Sequence, residues 1–341
     1  MRVYVVHPGA NFATSDVYDG LVAGLCACGV EVHEGRIDTI LNFYDTAVRA
    51  GVATGAMDPA KFTPGLFNKQ RLASAHITQS ILDVWPDLVL VVSGHNYHTR
   101  DVQLLRKVGL RVACLLTESP YFIDLELILA QIYGTIFTNE RACLPRFRAV
   151  TPNAHYLPHA WNEQTHQPGP ADPTKACDAF FVGSWFEERR ALLLGSAWDG
   201  INLVWKGHDL TDFPDSILPN VEAAAWYRSA KVALNIHRTT TSAGTGQHIK
   251  SDEAVSLNPR AYEIAACGGF QLMDNARAER HEIFGDCMPT YKAGDAADLT
   301  KQIRWWLERP QYRAEWAHAQ HAAVRPHTWT ARARQILEVL A

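Results

Sequence analysis

Residues 258–274, NPRAYEIAACGGFQLMD, combine an arginine, a glutamate and two adjacent glycines at spacings that suit ligand binding. Arg260 and Glu263 are three residues apart, so on a helix they lie on one face. Gly268 and Gly269 follow, where a positive φ would end the helix before a short apolar strand. An arginine and a glutamate on one face suit a polyhydroxylated, anionic ligand. A surface helix with a glycine stop accounts for the same residues, and both interpretations stay open at this point.

Polar side chains also follow the other apolar segments, at the points where parallel strands would end. Ligands of open α/β sheets bind at the carboxyl ends of the strands, so we expect these side chains to line a site. Glu118 directly follows an apolar run and can act as a general base or simply fix its loop. The polar residues at these positions are His7, Asn11, His95, His98 and Glu118 in the first half, and Ser184, Arg189, Lys206 and His237 in the second.

Several common chemistries lack their motif in this chain. Neither half contains a complete Gly-x-Gly-x-x-Gly or a Gly-x4-Gly-Lys-Ser/Thr loop, which disfavours dinucleotide-dependent dehydrogenases and P-loop kinases. The Gly-x-Ser-x-Gly elbow of serine hydrolases is missing as well. His95 and His98 can ligate a metal, but no acidic residue stands at a convincing spacing. Loop histidines that make hydrogen bonds are therefore favoured, and no metal site is expected.

The elements that must position these residues alternate between strands and helices. A polar, proline-containing segment, 162–175, separates the two halves as a linker. The alternation predicts an α/β protein with two Rossmann-like, doubly wound parallel sheets that face each other across a cleft. The apolar runs that predict strands are 3–6, 30–33, 87–92, 111–116 and 136–138 in the first half, and 179–182, 201–205 and 232–236 in the second.

Length and composition limit the class of protein. A chain of 341 residues favours two domains, and 47% hydrophobic with 20% charged residues is typical of a soluble globular protein. The net charge of −4 disfavours a strong nucleic-acid binder but leaves room for a local basic patch. Seven cysteines without a Cys-x-x-Cys pair indicate reduced thiols in a cytoplasmic protein. No apolar run is long enough to span a bilayer, and the first residues predict a strand rather than a signal peptide.

Eight motifs occur in order along most of the chain: PDLVLVVSG, TESPYF, FTNER, YLPHAWN, FVGSWFEERRALL, AKVALNIHR, NPRAYEIAACGGFQLMD and PHTWTARARQIL. Together they resemble the CgeB-like (spore maturation protein-like) glycosyltransferases, which have the GT-B fold. The resemblance implies an acceptor-side domain at 1–160 and a nucleotide-sugar donor domain at 161–324. It also implies that a C-terminal helix, 325–341, packs back on the first domain.

The resemblance implies a metal-independent, hexosyltransferase-like enzyme without a cofactor, whose co-substrate is a UDP- or GDP-sugar. Glu263 falls where such enzymes place a carboxylate on the ribose hydroxyls. Many retaining relatives carry a second glutamate eight positions earlier, where this chain has Val255, so the stereochemical outcome stays open. The implied catalytic residues are Glu118 and His159, the donor-binding residues are Ser184, Arg189, Lys206, His237, Arg260, Glu263, Gly268 and Gly269, and the acceptor-side residues are His7, Asn11, His95 and His98.

The acceptor and two other functions stay open. A glycan, a small metabolite, a protein or a hydroxymethylated base of phage-type DNA can each supply the acceptor hydroxyl. A non-catalytic protein that binds nucleotide sugars or glycans fits the same residues. A nucleotide-sugar epimerase of the same fold fits them too.

Overall fold

The computed structural model describes residues 1–9, 12–58, 66–207, 218–241 and 253–340. The chain forms two compact α/β units. Unit 1 consists of Met1–Asn139, Cys143–Leu157 and Ala333–Ala341. Unit 2 consists of Glu140–Ala142 and Pro158–Arg332.

Unit 1 is built on a six-stranded parallel sheet with the order β2-β1-β3-β4-β5-β6. The central strands β3 and β4 are buried at every residue, because helices cover both faces of the sheet. The strands are β1 (Arg2–Val6), β2 (Glu31–Gly35), β3 (Leu88–Val92), β4 (Val112–Leu116), β5 (Thr135–Thr138) and β6 (Asn153–Tyr156). The helices are α1 (Phe12–Ala27), α2 (Ile37–Ala53), α3 (Leu66–Val84), α4 (Thr99–Lys107), α5 (Ile123–Tyr133) and α6 (Leu144–Val150).

Unit 2 is built on a five-stranded parallel sheet with the order β11-β10-β9-β7-β8. Its strands are β7 (Cys177–Val182), β8 (Leu203–Lys206), β9 (Ala230–Asn235), β10 (Gln271–Asp274) and β11 (Thr290–Tyr291). Its helices are α7 (Glu187–Gly195), α8 (Asn220–Ser229), α9 (Pro259–Ala266), α10 (Arg280–Phe284), α11 (Ala296–Leu307) and α12 (Pro310–Val324), and α13 (Trp329–Leu340) runs from unit 2 into unit 1.

The predicted fold class is confirmed, since both units are doubly wound parallel sheets. Each of the eight predicted strands is present, with ends within two residues of the expected positions. The chain after α11 forms two helices, α12 and α13. Pro326 lies between them, and proline lacks the N–H that a continuous helix would need. None of the helices in the described part of the chain is long and apolar enough to cross a membrane.

Candidate functional site

Helix α9 begins and ends with residues suited to those positions. The Asn258 side chain caps it by accepting the N–H of Ala261 at 3.1 Å. At the other end Gly268 adopts a φ of +75°, and the N–H of Gly269 donates to the carbonyl of Ile264 at 3.1 Å. A Cβ on Gly269 would lie 2.5 Å from the carbonyl oxygen of Tyr227, so only glycine fits there. The two glycines therefore end the helix, about 12 Å from its start at a rise of 1.5 Å per residue.

Two guanidinium groups converge where β7 ends. A Cβ on Gly183 would lie 2.7 Å from Nη2 of Arg260 and 3.3 Å from Nη1 of Arg189. The Arg260 guanidinium also lies 5.3 Å from the centre of the Phe181 ring. Within the described residues, its buried Nε has no hydrogen-bond partner and no carboxylate forms an ion pair with it. Two cations held this close favour a bound anion, which would offset their repulsion.

Arg189 is buried and also serves the structure of the site. Its Nε donates to the carbonyl of Ile236 at 3.1 Å, and its Nη1 donates to the carbonyl of Ser184 at 3.0 Å. It thus joins the chain after β7 to the chain after β9 and places Ser184 beside the guanidinium pair. Its neighbour Arg190 is exposed. The structure therefore places two adjacent arginines in different environments.

His237 and Asp274 form a buried pair where β9 and β10 end. Asp274 accepts the backbone N–H of His237 at 2.6 Å and that of Ala276 at 3.0 Å, and both its oxygens lie 3.1 Å from Nδ1 of His237. Burial acts to raise the pKa of Asp274, but His237 and these N–H groups outweigh it and hold the pKa at about 2. Nε2 of His237 is buried and has no hydrogen-bond partner among the described residues. Asp274 was not predicted from the sequence.

Glu263 lies one turn after Arg260 on α9 and is half-buried. Burial raises the pKa of the Cys267 thiol to about 12, and the nearby Glu263 carboxylate contributes to that increase. In the chain as described, the Glu263 side chain makes no hydrogen bond or ion pair. Lys206, the last residue of β8, is half-buried and likewise has no ion pair with a described residue. Both charged groups are thus available to a ligand.

The segment that leads into α9 is held by a buried glutamate that sequence reasoning missed. Glu140 accepts the backbone N–H groups of Ala142 at 3.0 Å, Val255 at 3.1 Å and Ser256 at 3.2 Å. Glu279 accepts the N–H of the next residue, 257, at 2.6 Å. The backbone at Val255, where many retaining relatives carry a glutamate, is therefore fixed by carboxylates from elsewhere in unit 2. The FTNER motif contains Glu140 but gives no sign of these partners.

The predicted acceptor-side histidines lie in unit 1, and two of them, His7 and His98, make local hydrogen bonds. His7 is buried and accepts the N–H of Gly9 on Nδ1 at 3.1 Å, and burial lowers its pKa. His98 caps α4 by accepting the N–H of Arg100 at 3.2 Å. Asn11 lies outside the described residues. His7 thus follows β1 and His98 follows β3. In each of them Nδ1 already accepts a hydrogen bond from the backbone.

Glu118 is half-buried directly after β4, and its backbone is held by Glu126 from α5. Burial raises the pKa of Glu126 to about 8. His95, in the loop after β3, places Nε2 3.9 Å from Oε1 of Glu126. Glu126 was not predicted. Its only sequence signal is a single carboxyl within the apolar run LELILA.

His159 belongs to unit 2 and is 7% exposed. Burial and the charge of Arg332 lower its pKa to about 4, so the imidazole is neutral near pH 7. Its carbonyl accepts Nη2 of Arg332 at 3.1 Å. No cluster of three or more metal-ligating side chains occurs in the described ranges of the chain.

The predicted donor residues thus fall into two groups. The structure brings Ser184, Arg189, His237 and Arg260 together at the carboxyl ends of β7 and β9, with Glu263 one helical turn farther along α9. Lys206 ends the neighbouring strand β8. Gly268 and Gly269 lie at the opposite end of α9.

Residues 175–338 match the protein family described as Glycosyl transferase-like. The spore protein CgeB of Bacillus subtilis (strain 168) is 22% identical to this chain over 205 residues, which cover 55% of this chain and 64% of CgeB. The chain therefore spans less than two thirds of that relative. These matches confirm the resemblance to CgeB-like glycosyltransferases.

Solved structures share the fold along the whole chain. The sucrose-phosphate synthase of Thermosynechococcus elongatus has a TM-score of 0.64 at 12% identity and covers 100% of this chain and 98% of its own. An Escherichia coli trehalose-6-phosphate structure with bound UDP-2-fluoro glucose has a TM-score of 0.60 at 12% identity and covers 100% and 99%. At these identities the likeness establishes the GT-B fold and nothing finer.

Proposed function

Because residues 175–338 carry a glycosyl transferase-like domain, we propose that the protein moves a sugar from a nucleotide-sugar donor to a hydroxyl acceptor. Unit 2 binds the donor in this proposal, and unit 1 binds the acceptor. The observation that carries it is the convergence of Arg260 and Arg189 on Gly183.

The guanidinium pair suits the diphosphate of the donor. When the sugar–phosphate bond breaks, the departing nucleoside diphosphate gains negative charge, and fixed cations stabilise that charge without reorganising. Lys206 and the Ser184 hydroxyl extend the site along the strand ends. These fixed charges support transfer without a metal ion.

Glu263 completes the donor site. A half-buried carboxylate with no hydrogen bond or ion pair to the described residues can accept hydrogen bonds from both ribose hydroxyls, and charge-assisted hydrogen bonds of this kind are strong. Glu263 lies one helical turn from Arg260. The two side chains can therefore contact neighbouring parts of a nucleoside diphosphate, Glu263 the ribose and Arg260 the phosphates. His237, whose buried Nε2 has no hydrogen-bond partner among the described residues, adds a neutral hydrogen-bonding group to the same strand ends.

In this proposal the acceptor-binding residues belong to unit 1, apart from His159. Glu118 acts as general base on the acceptor hydroxyl, with His7, Asn11, His95 and His98 as acceptor contacts and His159 as a second catalytic group. A UDP- or GDP-sugar is the proposed donor, and a glycan, a metabolite or a hydroxymethylated DNA base the proposed acceptor. The seven cysteines, none in a disulfide, support a cytoplasmic location.

Calorimetric titration with UDP, GDP, ADP and dTDP tests the donor site. We expect one of the four to bind the wild type, and Arg260→Ala to weaken that binding about 30- to 100-fold, or roughly 2–3 kcal/mol, because a charge-assisted contact to phosphate is lost. Glu263→Ala should weaken binding of the same nucleotide about tenfold or more.

Arg190→Ala is the matched control, since Arg190 is exposed beside the buried Arg189. It should leave the affinity unchanged. If wild type and Arg260→Ala bound the nucleotide with equal affinity, the proposal that the diphosphate binds at this site would be wrong.

A further inference from the structure

Glu126 is a carboxyl without exposed surface, placed beneath the loop that carries Glu118. Its Oε1 accepts the backbone N–H of Glu118 at 2.9 Å, and its Oε2 accepts the hydroxyl of Ser119. One side chain thus holds two consecutive residues at the carboxyl end of β4. The loop cannot move without breaking both hydrogen bonds.

A carboxyl at this position carries a cost that an apolar residue would not. The rest of the run LELILA is apolar, and leucine has nearly the same volume as glutamate. Replacing buried ionisable groups by apolar residues of similar size is often neutral or stabilising. Retaining an acid here therefore calls for a role that apolar packing cannot supply, and the two hydrogen bonds to the loop are that role.

We infer that Glu126 is a positioning residue, which holds the loop at 117–119 so that Glu118 is presented to the acceptor. This inference rests on the proposed function, in which Glu118 is the general base. A base must lie within hydrogen-bond reach of the hydroxyl it deprotonates, and side chains behind it commonly fix that geometry. Glu126 touches neither substrate in this arrangement and acts through the Glu118 backbone.

The groups that face Glu126 come from three elements. Glu118 and Ser119 approach from the loop after β4, His95 lies 3.9 Å away in the loop after β3, and Cys114 lies on β4 itself. Burial lowers the pKa of His95, and burial together with Glu126 raises that of Cys114. Near neutral pH the burial that raises the pKa of Glu126 keeps this carboxyl largely protonated, beside the charge of Glu118.

Two substitutions separate the hydrogen bonds from the charge. Glu126→Gln keeps an oxygen for the Glu118 N–H and offers its NH₂ to the Ser119 oxygen. Glu126→Leu fills the space and removes both of these hydrogen bonds. Asp124→Asn is the control, because that carboxyl lies on the same helix with a side chain 94% exposed.

Amide hydrogen exchange at Glu118 measures how often the hydrogen bond of this loop amide opens. We expect Glu126→Leu to speed exchange at this amide at least about tenfold, whereas Glu126→Gln and Asp124→Asn stay near the wild type. Unchanged exchange in Glu126→Leu would overturn the inference, since the loop would then be held by something else.

The turnover number kcat measures the effect of each substitution on catalysis. The probe is release of nucleoside diphosphate, with water as acceptor, from the UDP-, GDP-, ADP- or dTDP-glucose that the wild type consumes fastest. We expect Glu126→Leu to lower kcat about tenfold or more with the nucleotide Kd unchanged, and Glu126→Gln to restore kcat to within about threefold at pH 6.5.

The two proposals fail in different ways. Faster exchange in Glu126→Leu with an unchanged kcat would refute the positioning role while leaving the proposed transferase intact. A wild type that consumes none of the four donors would refute the proposed function, and the catalytic part of this inference with it. The exchange rates would still decide whether Glu126 holds the loop.

Discussion

Glu126 in unit 1 and Asp274 in unit 2 are both fully buried carboxyls next to the carboxyl ends of parallel strands, yet their pKa values move in opposite directions. Burial raises the pKa of Glu126 to about 8. Burial also acts to raise the pKa of Asp274, but its partners hold it at about 2. The difference lies in the partners. Asp274 faces the His237 imidazole and two backbone N–H groups, whereas Glu126 accepts the backbone N–H groups of Thr117 and Glu118 and the Ser119 hydroxyl and has the Glu118 charge nearby.

This contrast shows that burial alone does not set the ionisation state of a carboxyl. N–H groups fixed by the fold stabilise the charged form, and a like charge opposes it. Unit 2 therefore keeps a permanent anion behind the neutral imidazole of His237. Unit 1 keeps a group that is largely protonated at pH 7 behind Glu118. Three substitutions test this difference between the two carboxyls.

The largest effect is expected from Asp274→Asn. The amide NH₂ would face N–H donors that the carboxylate now satisfies, so we expect a loss of about 3–4 kcal/mol in the free energy of unfolding at pH 7. The pKa of Asp274 lies below its ordinary value of 3.8, so its contribution is full above pH 3.8 and is lost as the pH falls toward 2. Urea unfolding at pH 7 and pH 3 measures this loss. The difference in free energy of unfolding between wild type and variant should be smaller at pH 3.

Asp286→Asn, at an exposed position in the same unit, is the control and should change stability by less than about 0.5 kcal/mol. If Asp274→Asn lowered the free energy of unfolding by as little as this, the buried pair with His237 would contribute nothing to folding.

A smaller effect of opposite sign is expected from Glu126→Gln. The pKa of Glu126 is raised from 4.5 to about 8, so the folded state binds a proton that the unfolded state releases, and stability falls as the pH rises between these values. Glutamine cannot ionise. We expect the variant to match the wild type at pH 5 and to be more stable by about 1–3 kcal/mol at pH 8.5.

The measurement is the urea midpoint of both proteins from pH 5 to pH 9. Asp124→Asn should follow the wild type throughout, because its carboxyl is exposed on the same helix. Parallel curves for wild type and Glu126→Gln would show that the Glu126 pKa is not raised.

The smallest effect is expected from Ser119→Ala. The Ser119 hydroxyl stabilises the charged form of Glu126, so its removal should raise the Glu126 pKa by about one unit more. Carbon-13 NMR of labelled glutamate side chains follows this titration. A pKa that stays the same or falls would show that the backbone N–H of Glu118, and not the hydroxyl, supplies the stabilisation.

Features that depend on neighbours along the chain could be predicted from the amino-acid sequence. Apolar runs separated by helical segments determined both parallel sheets, because strands buried on both faces must be apolar throughout. The three-residue spacing placed Arg260 and Glu263 on one face of α9, as the helical period requires. The Gly268 turn followed from the left-handed conformation at a helix end, which favours glycine.

Which charged groups come into contact depends on the folded chain and could not be predicted from the sequence. Arg189 and Arg190 are adjacent and chemically identical, and burial separates them because the α7 face that packs on the sheet contains only Arg189. Glu140 meets the backbone of Val255 across 115 positions, and Asp274 meets His237 across 37. A carboxylate at a strand end has the same sequence signal whatever its partners are. The pKa values of Glu126 and Asp274 were decided by folding, because folding brings the His237 imidazole to Asp274 and the Glu118 carboxylate to Glu126.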